Sequence, residues 1–172
     1  RNKMAGFKGH IQIVNYDANW SDVSVVPIDK QQDFYPNFSK VNGIRNVQVF
    51  ASKGGILRTE NAFEGIIFKG VSTDYDWTFF KEYLVEGRLP DFNQTRTRDV
   101  LLSEHLMNAL ELKIQDTILA TFMKTSDSKL PSNRKYIVTG VFNTGFLEFD
   151  ESIMIGDIRE VQKLNRWNEN QV

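Results

Sequence analysis

Few residues in this chain of 172 have the type and spacing that chemistry requires. The two histidines, His10 and His105, stand far apart. Neither has a carboxylate or a second histidine three or four residues on, the spacing that sets two metal ligands on one helix face. Ser103 follows an apolar run and opens a helical pattern, as a hydrolase nucleophile does. The G-x-S-x-G turn is missing, however, and the residue suits a helix N-cap. Asp150 and Glu151 are adjacent, and neighbouring side chains in a strand or turn point apart, so they make a poor acid and base pair. The glycine pairs in GFKG and KGGI lack the G-x-x-x-x-G-K-[ST] spacing that cradles a phosphate. Asn19-Trp20-Ser21, Asn37-Phe38-Ser39 and Asn93-Gln94-Thr95 match the glycosylation pattern, which matters only in a eukaryotic secretory pathway. Cysteine is absent, so there is neither a disulfide framework nor a thiolate metal site. The residues offer surfaces and no reaction centre, and the expectation is a noncatalytic protein without a cofactor or bound metal.

Composition narrows the class further. Hydrophobic residues at 41% and charged residues at 25% are ordinary for a globular chain with a real core. Thirteen Phe and three Trp favour sheet-rich packing and protein contact surfaces. A net charge of −1 and the lack of a basic face argue against nucleic-acid binding, where phosphate contacts need cations. No run of about 18 apolar residues occurs, and the first residues carry no signal-peptide pattern.

Residues 99–145 are the part of the chain that reads without a doubtful step. VLLS (100–103) is an apolar strand ending in the N-cap Ser103, and EHLMNALEL (104–112) places Leu106, Met107 and Leu110 on one helical face. The period then changes to two, with Ile114, Thr117, Leu119, Thr121 and Met123 suiting a half-buried strand. A polar connector, KTSDSKLPSNR (124–134), leads to a second strand at 135–145, so the pair predicts a hairpin with a displayed, proline-containing end. Before this region, strands are expected at 10–16 and 46–52, with Pro27 holding the run 23–28 to an edge. Pro36 predicts a helix over 36–41 stopped by Gly43. Lys53-Gly54-Gly55 predicts a bend, followed by strands 56–60 and 63–71. Asp76 is expected to cap a helix over 77–87 with Trp77, Phe80, Tyr83 and Leu84 on one face. Residues 88–98 read as a polar loop. SIMIG (152–156) is a short strand, and Asp157 with Glu160 makes the D-x-x-E capping box heading IREVQKLN. Strands outnumber helices and the helices are short, which gives an α+β class with a mixed or antiparallel sheet and no internal repeat.

In this order, the segments KMAGFKGHIQI, FASKGGIL, EGIIFKGVSTDYDWTFF, VEGRLP, VLLSEHLMNALELKIQDTI, YIVTGVFNTGFLEFD and SIMIGDIREVQKL run through nearly the whole chain. Together they resemble the periplasmic core domain of MacB-like ABC-transporter permeases, closest to the lipoprotein-releasing (LolC/LolE-type) ones. Gln115 departs from the pattern: such permeases usually have glycine before the aspartate that matches Asp116. The resemblance implies that residues 1–52 supply the first half of a porter-like module and 53–165 an inserted sabre-like module. Residues 166–172 would begin a return to the porter, which in relatives continues with another strand, helix and strand. It also implies flanking transmembrane helices, the first just before Arg1, at the periplasmic face of a Gram-negative inner membrane.

The resemblance further implies a division of labour. ATP is hydrolysed on a separate cytoplasmic subunit, a second permease subunit completes the assembly, and the periplasmic domains move and hand a lipoprotein to a soluble carrier. In permeases of the C type a hairpin at the position of 124–134 hooks that carrier, with a polar pad beside it. By this likeness Pro131 is the hook residue, Leu130 its apolar anchor, and Asn133 with Arg134 the pad. A MacB-like efflux or signalling permease with the same fold would dock an adaptor or membrane partner instead. A secreted hydrolase would require a metal or a deep polar pocket around His10 or His105, and neither is expected.

Overall fold

A computed structural model describes residues 4–16, 22–123 and 130–172. Its centre is a sheet of seven strands: β1 (Phe50–Arg58), β2 (Phe63–Val71), β3 (Leu84–Gly87), β4 (Asp99–Ser103), β5 (Thr117–Phe122), β6 (Ser132–Phe142) and β7 (Ile153–Asp157). Four short helices accompany it: α1 (Met4–Lys8), α2 (Glu104–Ala109), α3 (Leu147–Asp150) and α4 (Ile158–Asn165).

The sheet closes on itself, a feature absent from the sequence expectation. The order β3-β6-β4-β7-β2-β1-β5 carries a further pairing of β6 with β5, so six strands form a ring and β3 is appended to β6. The length of β6 makes closure possible. One edge pairs with β4 while the other pairs with β5 through its first half and with β3 through its last residues. The β2–β7 and β4–β6 pairs are parallel and the remaining pairs antiparallel, so the sheet is mixed.

Alternation along the strands fills the ring. Phe68, Val100, Phe122, Tyr136, Val138 and Met154 share one core cluster with Leu106, Met107 and Leu110 of α2 and Ile158, Val161 and Leu164 of α4. A second cluster lies on the outer side, where Leu101, Phe142, Ile153 and Ile155 meet Phe7, Tyr75, Phe80, Phe92 and Phe149. A bulge in β6 supplies both. Val100 pairs with Val138 but Leu101 with Gly140, so Thr139 is the extra residue. The slip sends Phe142 to the outer cluster while Val141 stays with the inner one.

Several expected elements are corrected. Residues 46–52 and 56–60 are not two strands about a bend: β1 runs unbroken through Gly54 and Gly55. A Cβ at Gly55 would lie 2.6 Å from the Phe122 ring, so that glycine serves close packing. Residues 77–87 form a 3₁₀ turn, Phe80–Tyr83, followed by β3. The free edge of β6 captures Leu84, Glu86 and Gly87, and the turn lets both Phe79 and Phe80 reach Phe7. No helix forms over 36–41, a segment too short to persist without a buried stripe; Val41 is 46% exposed. Instead Tyr35 ties this loop to the sheet, its hydroxyl donating to Asp74 Oδ2 at 2.9 Å. Residues 10–16 are irregular and pair with no described strand. The tail comes back to the N-terminal region, where Ile28 and Val172 exchange both main-chain hydrogen bonds and Asp29 bridges Gln171.

Candidate docking hairpin and its supports

The hairpin expected around 124–134 is present as the antiparallel β5–β6 ladder, closed by the pair Phe122 and Ser132. Positions 124–129 of the expected hook, and the glycosylation match at Asn19, lie outside the described residues. Leu130 and Pro131 are exposed at the end of the ladder. Asn133 and Arg134 belong to β6 and not to the connector. Asn133 faces outward, where Thr121 Oγ1 donates to its Oδ1 at 2.8 Å. Arg134 alternates to the opposite face beside buried Ala120, with Nη1 donating to the Asn133 carbonyl at 2.9 Å. The two pad candidates therefore diverge, while Leu130, Pro131 and Asn133 stay on the exposed end.

The hairpin is fixed to the rest of the domain by a buried charge that the local pattern assigned elsewhere. Asp157 caps α4 as expected, accepting from Arg159 N at 2.9 Å. Glu160 does not close the capping box. Its Oε2 accepts from Tyr136 Oη at 3.1 Å, and Arg96 Nε and Arg98 Nε lie 2.9 and 3.2 Å from its Oε1. Arg98 also sits above the Tyr136 ring and donates to the Lys135 carbonyl. Burial raises the Tyr136 hydroxyl well above its ordinary range, and the Glu160 carboxylate adds to the shift. Arg159 holds Asp157 and donates to the carbonyls of Phe92, Gln94 and Thr95. The stretch 88–98, read from sequence as a plain polar loop, is thus a clasp joining β6 and α4. The doublet of arginines in QTRTR was the available signal, but only a buried carboxylate gives it meaning.

A second support lies at the other end of the chain. Phe7 of α1 is completely buried, with ring centroids 5.0 Å from Phe79, 5.1 Å from Tyr83 and 5.1 Å from Phe149. Lys69, buried, donates from Nζ to the Phe7 carbonyl at 3.1 Å and lies over the Phe50 ring. Burial pushes this amine down to about 8, with nearby Lys8 adding to the shift. Sequence reasoning missed the pair, although a lone lysine inside the apolar run IIFKGV is a recognisable sign of a buried, partnered cation.

The residues weighed for catalysis are dispersed or occupied. His10 is exposed on the irregular N-terminal segment. His105 lines an open depression of about 300 Å³ with Glu104, Asn108, Asn143, Leu147 and Asp150. Within it, Asp150 is held by Thr144 N, Thr144 Oγ1 and Gly145 N. Glu104 accepts from Asn143 Nδ2 at 2.9 Å. Ser103 Oγ accepts from Leu106 N at 3.0 Å and donates to the Asp150 carbonyl, which is the N-cap role. Asp150 and Glu151 do not act as a pair: the first anchors the 143–146 turn and the second ends α3 in solvent. Among the described residues, no three His, Asp or Glu side chains converge on a metal-sized site.

No family model matches this chain, and no curated protein matches it. Among solved structures it is similar to the extracellular domain of a noncanonic ABC-type transporter, YknZ, from Gram-positive bacteria. The TM-score is 0.53 at 19% identity, over 76% of this chain and 63% of that one. The chain thus spans less than two thirds of the length of that domain. No helix among the described residues is long and apolar enough to cross a membrane. The α+β fold built here, with its closed mixed sheet and short helices, is one shared with the extracellular domain of an ABC-type transporter.

Proposed function

We propose that this chain is the extracytoplasmic domain of an ABC-transporter permease of the lipoprotein-releasing kind, in the inner membrane of a Gram-negative bacterium. On this reading it is noncatalytic. It relays motion driven by ATP hydrolysis on a separate cytoplasmic subunit, works beside a second permease subunit, and docks a periplasmic lipoprotein carrier at the β5–β6 hairpin. The observation that carries the reading is the fold shared with a transporter's extracellular domain.

Two features support the mechanical part. Phe7 and Lys69 lock α1 to the outer wall of the sheet, so displacement of α1 moves the wall with it. Glu160 and the arginines of 88–98 then tie that wall to β6, whose first half forms the hairpin. Closure of the sheet stiffens the path, because each of the six strands of the ring is held on both edges.

The test is retention of a purified lipoprotein carrier on the immobilised chain. Retention is expected, with a loss of about tenfold or more on Leu130→Asp at the exposed end of the hairpin. Absence of retention at the highest carrier concentration attainable sinks the docking part. It would favour the second reading, a MacB-like efflux or signalling permease that docks an adaptor or membrane partner. That reading draws on the neighbour's description, which names an ABC-type transporter and no lipoprotein.

A further inference from the structure

One stretch of the barrel wall is left uncovered by the described residues. In β1, β5 and β6, Leu57, Ala120 and Tyr136 are fully buried, so the residues that alternate with them face outward. The strand registers align those outward residues in rows across the wall. Phe63, Arg58, Leu119 and Lys135 form one row, with Gly65 and Ile56 in the next. Phe63 is 73% exposed and Ile56 46%. Gly65 has open space where a side chain would stand, which leaves a dent beside Ile56.

The outward charges within the strands of this wall have one sign. The strands β1, β2, β5 and β6 contain a single carboxylate, Glu64, and it alternates inward opposite Leu57. The outward charges of the row are Arg58 and Lys135. They flank Leu119 at two strand spacings, roughly 10 Å apart along the sheet. Exposed Glu60, in the turn after Arg58, stands at the margin of this face, while the strand face itself is apolar and cationic and is complemented by a segment carrying apolar and acidic side chains together. A second copy of this chain does not fit, because a two-fold pairing would set Arg58 and Lys135 against their own images.

The geometry points to the outer face of β1, β5 and β6 as a docking surface for an acidic, apolar-faced segment of a partner protein. The assignment rests on the docking role proposed above and extends it from the hairpin end to the adjoining wall. Apolar side chains of the partner cover Ile56 and the dent at Gly65, and its carboxylates meet Arg58 and Lys135. Leu130 and Pro131 lie at the end of the same β5–β6 ladder, so hairpin and wall form one continuous footprint.

Two synthetic amphipathic helical peptides serve as probes, one with Leu and Glu on a single face and the other with Lys in place of Glu. Fluorescence anisotropy with the 172-residue chain is expected to show binding of the first and not of the second. Arg58→Glu combined with Lys135→Glu should weaken the Leu/Glu peptide about tenfold or more. Both side chains are exposed, and an unchanged thermal midpoint certifies the fold. Equal binding of both peptides, or an unaffected double variant, overturns the assignment. Preferential binding to phosphatidylglycerol vesicles, or self-association that blocks the peptide, overturns it in favour of a lipid or a second copy. The carrier assay separates the two proposals. Carrier lost on Leu130→Asp but kept by the double variant removes the wall and leaves the docking role. Peptide binding without carrier retention does the reverse.

Discussion

The outer wall of the barrel is finished differently on its two sides. Over β4, β7 and the last part of β6, the side chains of Leu101, Ile155 and Phe142 lie beneath a shell of rings from Phe7, Phe80, Phe92 and Phe149. Over the last residues of β1, Ile56 and Arg58, and over β5 and the first part of β6, outward side chains reach solvent. The same alternation produces both, so strand pattern does not decide which side is covered. Charge does follow the division: the covered side buries one cation, Lys69, and satisfies it with the Phe7 carbonyl, whereas the bare side displays Arg58 and Lys135. One side holds the domain together, and on the proposed reading the other meets a partner.

If that division is real, substitutions of similar chemistry on the two sides should differ in cost. The largest effect is expected from Phe7→Ala, which empties the centre of the ring cluster and should remove about 3–5 kcal/mol of stability. Ile56→Ala on the bare wall should cost about 1 kcal/mol or less, both read from urea unfolding.

Lys69 comes next, through its pH dependence. Its folded value of about 8 lies below the ordinary 10.5, so between these limits the unfolded chain holds more protons than the folded one. Stability contributed by this group therefore rises as pH increases from about 8 to about 10.5, by roughly 3 kcal/mol at most. Lys69→Met should flatten that rise, as seen by subtracting unfolding curves of the two proteins. A rise that persists in the variant assigns it to other groups.

Glycines sharpen the contrast between the walls. A Cβ at Gly140 would lie 2.4 Å from Leu101 Cδ2 and 2.6 Å from the Arg88 carbonyl, whereas one at Gly65 would meet nothing within 4 Å. Gly140→Ala should cost about 1–3 kcal/mol. Gly65→Ala should be neutral or gain up to about 1 kcal/mol. Equal costs would mean that the bare wall is packed after all. The smallest effect concerns the turn before β5, where Gln115 stands at φ 71° and no side-chain packing compensates. Gln115→Gly should raise stability by about 1 kcal/mol or less, since the left-handed region costs an L-residue more than the added freedom of the unfolded chain.

Elements whose causes are local were legible in the residues. Ser103 caps α2 and Asp157 caps α4 because each accepts a main-chain hydrogen bond from two or three residues ahead. The β5–β6 hairpin followed from period-two alternation on either side of a polar connector. Other features were misread for a common reason, that a distant partner outweighed the local preference. Residues 84–87 gave up a helix for the open edge of β6. Glu160 left its capping box for Arg96 and Arg98, over sixty residues earlier in the chain. Asn133 and Arg134, placed in a connector by their polarity, were drawn into β6 by Thr121 and Ala120 opposite.

Caps, turns and alternation need only neighbours within about four positions, and these the linear order of residues already specifies. Closure of the ring, the shell of rings over one wall and the buried partners of Glu160 and Lys69 need contacts between remote segments. Joining such segments costs entropy that grows only with the logarithm of the intervening length. Which remote contacts form is therefore settled by shape and burial, and no local periodicity records it.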